Sequence, residues 1–551
     1  MNKTAKRPVP AGLDKHADWW RGAVIYQIYP RSFQDSNGDG VGDLLGIARR
    51  LEHVASLGVD AIWISPFFKS PMRDFGYDVS DYCDVDPMFG TLGDFDTVIA
   101  EAHRLGLKVL IDLVLSHTSI DHPWFVESRQ SKDNPRSNWY VWADAKPDGT
   151  PPNNWLSIFG GSSWQWDPGR CQYYLHNFLA EQPDLNFHEP EVQKTLLDTA
   201  EFWLDRGVDG FRLDTINFYV HDKELRDNPA LPPEERNPIT APAVNPYTWQ
   251  NHLYDKTQPE NLLFLKKLRT LMNRYNAAAV GEIGEDQRGL EVLGEYTGGS
   301  DYIHMSYAFE LLSDKMPTAA YVKKVFDMVE DKAAQGWPCW AFSNHDVPRH
   351  ISRWNLPENG ARAFTTLMMC LKGSCCLYQG EELGLNEAEV AFEDLQDPYG
   401  KRFWPAFKGR DGCRTPMVWD GDAYNGGFSE VRPWLPVSHQ HLHRAVNEQD
   451  ADPGAILQHY RRAIAFRHAH PALMQGDQER MQASGTIVSF RRSLGGDTIF
   501  CAFNLSGEPG AIDAPEGRWT VIGQELGSTG PAPDGRLHLG PWQPALMVRA
   551  G

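Results

Sequence analysis

The chain has 551 residues, a net charge of −20 and an apolar fraction of 41%, which suits one large globular domain with smaller modules attached. Its acidic balance disfavours nucleic acids and anionic membranes as partners, because both attract basic surfaces. No uncharged run has the length of a transmembrane helix, the N-terminal residues lack an apolar secretory core, and the eight cysteines form no C-x-x-C pair. We therefore expect a cytoplasmic protein with reduced thiols and no membrane partner.

From residue 24 onwards, eight short apolar runs alternate with segments of helical periodicity, which predicts a parallel sheet covered by helices. Eight such units favour an α/β fold closed into a (β/α)8 TIM barrel, with catalytic groups at the carboxyl ends of the strands. An open doubly wound sheet is the alternative, but no glycine-rich phosphate loop follows the first strand. The predicted strands are residues 24–30, 61–66, 108–117, 208–214, 277–282, 304–309, 338–346 and 375–382.

Three segments interrupt this alternation. The first is rich in Trp, Pro, Gly and Asn, which predicts an irregular insertion domain after strand 3. The other two, residues 220–258 and 385–445, predict long loops that shape a pocket. Near the C-terminus, TIVSFRRS and TIFCAFNLS alternate as antiparallel strands do. The predicted domains are a catalytic barrel of residues 1–117 and 182–472, an insertion domain of residues 118–181 and a C-terminal β-sandwich of residues 473–551.

Polar side chains stand at the predicted carboxyl ends of several strands. In GFRLD, Arg212 and Asp214 are two residues apart and therefore project from one face of an extended strand. Each such residue could simply cap a helix or support the scaffold, and only their joint placement favours catalysis. Several carboxylates, with no H-E-x-x-H spacing and no G-x-S-x-G elbow, point to cleavage of glycosidic bonds. The strand-end set is Asp112, His117, Arg212, Asp214, Glu282, Asn344, His345 and Asp346.

Five short motifs occur in a fixed order along the chain. They are DLVLSH (112–117), QPDLN (182–186), GFRLD (210–214), GE (281–282) and SNHD (343–346). With these motifs the sequence resembles glycoside hydrolase family 13, the α-amylase family, and more narrowly its bacterial α-glucosidase and oligo-1,6-glucosidase branch. The resemblance extends over nearly the whole chain from about residue 18.

The resemblance implies three catalytic carboxylates: Asp214 as nucleophile, Glu282 as general acid/base and Asp346 as the group that stabilises the transition state. Arg212 would stabilise the negative charge that an attacking carboxylate needs. The apolar AAAV run before Glu282 would raise the pKa of that carboxyl, as a proton donor requires. Glu285 is the alternative acid, but it lies beyond this run.

The resemblance also implies a pocket for the nonreducing glucose. His117 and His345 match sugar-binding histidines, and Asp74 and Tyr77 of RDFGYDVSDY match residues that bind and stack on the same glucose. Without the family, FGYD would be interpreted as a turn. Arg414 of GRDGCRTPMVW matches a residue that pairs with Asp74. Such a pair would wall off the pocket and favour removal of one terminal glucose at a time.

The stretch DSNGDGVGD (35–43) places oxygen ligands at alternate positions, with Gly in the sixth place as in an EF-hand loop. Gly46 replaces the usual Glu in the twelfth place, so a surface turn is the alternative. The resemblance implies a structural metal here, Ca²⁺ or Mg²⁺, and no cofactor for catalysis. The implied ligands are Asp35, Asn37, Asp39, the Val41 carbonyl and Asp43.

Two positions depart from relatives within the family. Ser116 stands where α-amylases have Asn, which makes an amylase-type calcium site doubtful, and Thr215 stands where α-1,6-preferring members have Val, which favours α-1,4 linkages. The sequence thus predicts a retaining, exo-acting α-glucosidase that acts on maltose and short oligosaccharides, transfers glucose to hydroxyl acceptors, and is a monomer or homodimer. The alternatives are a relative specific for isomaltose, sucrose or trehalose, a noncatalytic scaffold, and a sugar-binding module without turnover.

Overall fold

A computed structural model describes residues 18–307, 309–479 and 481–549. Eight parallel strands form one sheet, and its two outer strands meet through a parallel bridge between Ser306 and Pro338. The predicted barrel is therefore confirmed. Apart from Lys108, every residue of these strands is buried, which explains why they appear in the sequence as continuous apolar runs.

All eight predicted strands are present, and they are called barrel strands 1 to 8 in chain order. The sixth predicted strand, residues 304–309, includes residue 308, which lies outside the described residues. The barrel strands are Val24–Ile28, Ala61–Ile64, Lys108–Leu113, Gly210–Leu213, Ala278–Glu282, Met305–Tyr307, Cys339–Ala341 and Ser374–Tyr378.

Helices cover the outside of the barrel. The helix Leu92–Arg104 shows how the sequence specifies them: Thr91 and Asp94 form a capping box at its start, and Phe95, Val98 and Ala102 bury one face. The longer helices are Leu44–Ser56, Leu92–Arg104, Pro190–Asp205, Asn261–Asn273, Gly289–Thr297, Ala319–Lys332, Glu358–Cys370 and Ile456–Ala469. Shorter α-helices are Pro123–Ser128, His350–Arg353, Pro398–Phe403, His439–Leu442, Val446–Ala451 and Pro471–Gln475. The 3-10 turns are Pro30–Ser32, Ile216–Phe218, Pro233–Glu235, Pro246–Trp249, Phe309–Leu311, Phe392–Asp394, Asp411–Cys413, Tyr424–Gly427 and Gln524–Leu526.

The segment after barrel strand 3 folds around its own small sheet. Trp155, Trp164 and Leu175 belong to an apolar cluster of this segment, against which Leu225 and Tyr254 of segment 220–258 also pack. Its strands are Trp142–Ala143, Trp164–Asp167 and Gln172–Leu175, and a separate antiparallel pair, Phe68–Lys69 and Asp81–Val85, follows barrel strand 2.

The C-terminal part consists of two antiparallel sheets that pack on each other through Ile487, Phe500, Leu537 and Met547. The predicted antiparallel β domain is confirmed, whereas the residue limits of the three domains remain predictions. The larger sheet contains Asp477–Gln478, Gln482–Ser484, Ile487–Leu494, Asp497–Asn504, Trp519–Ile522 and Pro544–Arg549, and the smaller one Gly510–Asp513 and Arg536–Leu539.

Within the described ranges, no helix combines the length and the apolar character needed to cross a membrane. The eight cysteines are all free thiols, and six of them are buried.

Candidate active site

Arg212, at the end of barrel strand 4, is the centre of a buried cluster of carboxylates. Its guanidinium donates to Asp112 at 2.9 Å and to Asp214 at 2.6 Å, and it also contacts Glu282 at the end of barrel strand 5. The side chain of Arg212 is 0% exposed. Because buried charges are tolerated only when they are paired, this one cation allows three carboxyl groups to gather in the barrel mouth.

Thr215 brings the two candidate catalytic carboxyls close to each other. Its hydroxyl donates to Asp214 Oδ2 at 3.1 Å, and its backbone N–H donates to Glu282 Oε2 at 3.3 Å. The φ angle of Thr215 is 36°, in the left-handed region that β-branched residues rarely adopt. This sharp bend directly after the strand turns both Thr215 groups towards the two carboxylates.

Glu282 has the surroundings of a proton donor. Burial is the largest cause and raises its pKa to about 8, with Arg212 opposing the shift and Asp214 adding to it. The predicted direction of the shift is confirmed. Glu285 lies outside the cluster, since its carboxylate accepts a hydrogen bond from Thr257 at 2.9 Å.

The two predicted histidines are neutral hydrogen-bonding groups. Burial lowers the pKa of His345 to about 3 and that of His117 to about 4. The ring of Tyr77 stacks on His345 at a centroid distance of 5.5 Å, and its hydroxyl lies 2.6 Å from His345 Nε2. The same hydroxyl donates to Asp112 at 3.1 Å, which joins this stack to the Arg212 cluster.

Gln182 connects the remaining predicted residues. Its amide nitrogen donates to Asp74 Oδ2 at 3.0 Å and lies 3.2 Å from His117 Nε2. Ser116 lies 2.9 Å from the other ring nitrogen of His117. The sequence indicated Gln182 only as the first residue of the QPDLN motif. Tyr307 was also missed, although its hydroxyl accepts a hydrogen bond from Arg212 at 2.8 Å.

The prediction that Arg414 pairs with Asp74 is wrong, because Arg410 makes this ion pair at 3.0 Å. Arg410 also contacts Asp346 at 3.1 Å. Arg414 instead donates to Asp346 at 2.9 Å and to the carbonyl of His345 at 2.7 Å. These contacts hold Arg414 at the loop after barrel strand 7, while Arg410, at the start of the same 3-10 turn, contacts Asp74 and Asp346.

In loop 35–43, side chains of the loop accept hydrogen bonds from its own backbone. Asp35 accepts three backbone N–H groups of the loop at 2.7 to 3.0 Å, and Asp43 caps the helix Leu44–Ser56 by accepting from Gly46 at 2.7 Å. Over the described part of the chain, no three His, Cys, Asp or Glu side chains converge as a metal site. The donors are hard oxygens of the kind that Ca²⁺ and Mg²⁺ prefer. Metal binding therefore remains a prediction.

The family model described as "Alpha amylase, catalytic domain" matches residues 27–476, most of the chain. The chain belongs to the α-amylase family.

Relatives place this α-amylase family member more narrowly. A probable alpha-glucosidase of Rhizobium meliloti (strain 1021) is 64% identical over 508 residues, which are 91% of this chain and 92% of the relative. An oligo-1,6-glucosidase of Heyndrickxia coagulans is 37% identical over 545 residues, covering 92% of this chain and 95% of the relative. The chain is thus a glycoside hydrolase of the α-glucosidase and oligo-1,6-glucosidase branch.

Two solved structures are similar to this α-amylase family fold. The alpha-glucosyl transfer enzyme XgtA superimposes with a TM-score of 0.94 at 54% identity, over 97% of this chain and 99% of its own. The trehalulose synthase MutB from Pseudomonas mesoacidophila MX-45 has a TM-score of 0.84 at 33% identity, over 96% of this chain and 99% of its own. Relatives named for hydrolysis and for glucosyl transfer therefore share the fold.

Proposed function

We propose that the protein is a retaining, exo-acting α-glucosidase that releases terminal glucose from maltose and short α-1,4-linked oligosaccharides. The observation that carries the proposal is the buried cluster in which Asp214 and Glu282 share contacts with Arg212 and Thr215, while burial raises the pKa of Glu282. A nucleophilic carboxylate and a carboxylic acid side by side are the groups that a double displacement at a sugar carbon requires.

In the first step, a carboxylate oxygen of Asp214 bonds to the anomeric carbon while the bond to the leaving oxygen breaks and Glu282 gives that oxygen its proton. The resulting Glu282 carboxylate then takes a proton from water, whose oxygen bonds to the anomeric carbon and displaces Asp214. Two inversions leave the released glucose in the α configuration. A hydroxyl of a second sugar or alcohol can replace the water, and the similarity to a glucosyl transfer enzyme supports such transglucosylation.

The ion pair between Asp74 and Arg410 supports exo-action. It links the turn after barrel strand 2 to the segment after barrel strand 8, and both side chains are nearly buried, at 6% and 10% exposure. A wall at this place would stop a longer chain from passing beyond the terminal glucose. Gln182, bonded to both Asp74 and His117, would fix the same end of the pocket.

The linkage preference rests on Thr215. Its hydroxyl touches the proposed nucleophile and therefore borders the place where the scissile oxygen would lie. A relative specific for sucrose is the second candidate, supported by the 33% identical MutB, which has been crystallised with sucrose as its substrate.

The test is proton NMR of the purified enzyme with maltose, isomaltose and sucrose in separate samples, recorded before the released glucose equilibrates between anomers. We expect α-glucose to appear first from maltose and little product from isomaltose, while D214N, with the same thermal stability, consumes none. β-Glucose appearing first would disprove the retaining mechanism. Consumption of sucrose alone would favour the second candidate.

We also propose that loop 35–43 holds a structural Ca²⁺ or Mg²⁺, supported by its oxygen donors. A cytoplasmic location is supported by the eight free thiols, since oxidising compartments favour disulfides.

A further inference from the structure

Arg410 is bound by a third carboxylate, Asp397, which no sequence motif indicated. The guanidinium donates through Nε to Asp397 Oδ2 at 3.1 Å and through Nη2 to Oδ1 at 2.8 Å, a two-pronged contact. The backbone N–H of Arg410 also donates to Oδ2 at 2.8 Å. The side chain of Asp397 is 0% exposed, so it contacts Arg410 on the side that faces away from solvent.

Asp397 is fixed by its own surroundings. It accepts the N–H of Tyr399 at 3.1 Å as the cap of the helix Pro398–Phe403, and its own N–H donates to Asp411 at 2.9 Å. Burial would raise the pKa of Asp397, but Arg410 outweighs burial and lowers it to about 2. The carboxylate is therefore charged at every pH at which a glucosidase would be assayed.

We propose that Asp397 is a positioning residue that orients the Arg410 guanidinium between Asp74 and Asp346, and thereby fixes the closed end of the glucose pocket. This inference rests on the proposed function. A two-pronged contact holds the plane of a guanidinium, whereas a single contact lets it rotate. The ring of Phe159, from the insertion after barrel strand 3, lies 5.4 Å from the guanidinium carbon and supports it from another side.

The geometry separates Asp397 from the nucleophile and the acid, and connects it through Arg410 to Asp74 and Asp346. Asp214 and Glu282 contact Arg212, and no contact joins either of them to Arg410 or Asp397 among the described hydrogen bonds and ion pairs. Loss of the Asp397 charge should therefore weaken the hold on the terminal glucose more than it slows bond cleavage.

The test compares D397N with D394N, at a partly buried carboxylate of the same segment that pairs with the exposed Arg432 and does not touch Arg410. Asn retains the oxygen that caps Tyr399. We expect D397N to raise KM for maltose and the inhibition constant of glucose about tenfold, with kcat within about threefold of wild type. D394N should leave all three unchanged and should melt near the wild-type temperature.

A double-mutant cycle distinguishes action through Arg410 from a general structural effect. In an R410A background, D397N should change KM less than about twofold. R410K, which keeps the charge but lacks the two-pronged geometry, should resemble D397N, and it provides a readout if D397N does not fold. A wild-type KM in D397N or R410K, or an equal effect of D397N with and without Arg410, would overturn the inference. If wild type cleaves no α-glucoside, the proposed function fails instead.

Discussion

The roles of individual carboxyl groups in this site depend on what surrounds them. Burial raises the pKa of Glu282, while the two cations Arg410 and Arg414 contact Asp346 and hold its pKa below the usual range although burial opposes them. One mouth of the barrel can therefore hold a proton donor and a permanent anion together. Such a division of surroundings is what acid/base catalysis with carboxylates requires.

The Glu282 carboxyl predicts the alkaline limit of activity. In the proposed mechanism cleavage needs the protonated form of Glu282, which is lost as the pH rises through about 8, so kcat/KM should fall on the alkaline side with an apparent pKa near 8. The measurement is kcat/KM for maltose across the alkaline range. E282Q should lower kcat by about a thousandfold and abolish this limb, because Gln cannot give up a proton.

E285Q is the matched control for this profile, because Glu285 contacts Thr257 outside the cluster. Its pH profile should match that of wild type. An alkaline limb that persists in E282Q, or one that moves in E285Q, would assign the acid to a different residue.

Sequence motifs identified which segments form the site, but not which of their side chains contact one another. Arg410 and Arg414 lie in the same GRDGCRTPMVW stretch, and the motif could not show which of them reaches Asp74. That choice depends on the 3-10 turn between them and on the carbonyl of His345, which holds Arg414 in place. Asp397 carried no signal at all, since it contacts the site only through Arg410.

At the scale of secondary structure, the elements that can be recognised from the sequence are those in which every residue is buried. The barrel strands are enclosed on both faces, so their apolar runs identify them. The segment 220–258 contains only two 3-10 turns, Pro233–Glu235 and Pro246–Trp249, in its described structure. Its shape depends on distant contacts instead, such as the hydrogen bond from Thr240 to Asp286 at 2.5 Å. No local pattern could reveal these contacts.

The metal site proposed in loop 35–43 predicts that the stability of the folded protein depends on metal ions. Binding of Ca²⁺ or Mg²⁺ to the folded loop should stabilise the protein by about 2.7 kcal/mol at a hundredfold excess over Kd, because the ion binds only the folded state. The measurement is the melting temperature after treatment with a chelator and again after each ion is added back. Catalytic constants should change little at temperatures where the protein is folded.

D39N is the informative variant for this loop. Asp39 is exposed and its carboxylate accepts the N–H of Val41 at 2.9 Å, a contact that Asn can keep while it loses the charge that attracts a cation. D39N should match the chelated wild type and respond weakly to added ions. An absence of any shift with both ions in wild type would identify the loop as a simple turn.

At the scale of the whole molecule, the buried Arg492 joins the C-terminal sheets to the helix Glu358–Cys370 on the barrel. Arg492, in the strand Ile487–Leu494, donates to the carbonyl of Cys370 at 2.8 Å and to that of Gly476 at 2.9 Å. The apolar core is also continuous, since Val488 and Phe503 belong to the same cluster as the barrel residues. The two parts should therefore unfold together.

The variant R492M tests whether the C-terminal sheets and the barrel unfold together. The substitution keeps an apolar chain of similar length but leaves two buried carbonyls without donors, so we expect the free energy of unfolding to fall by about 3 kcal/mol. Urea unfolding monitored by tryptophan fluorescence and by residual activity measures the change. The neighbouring Arg491 is 36% exposed and pairs with Glu479 at 3.4 Å, so R491M should change the free energy by less than about 0.5 kcal/mol.

The two probes decide between a joint and a stepwise transition. If the C-terminal sheets are part of one cooperative unit, fluorescence and activity are lost at the same urea concentration in wild type and shift together in R492M. If activity persists after an early fluorescence change, the sheets unfold on their own and the Arg492 contacts do not support the active barrel. An equal loss in R491M and R492M would show that the cost comes from lost charge rather than from the two carbonyls.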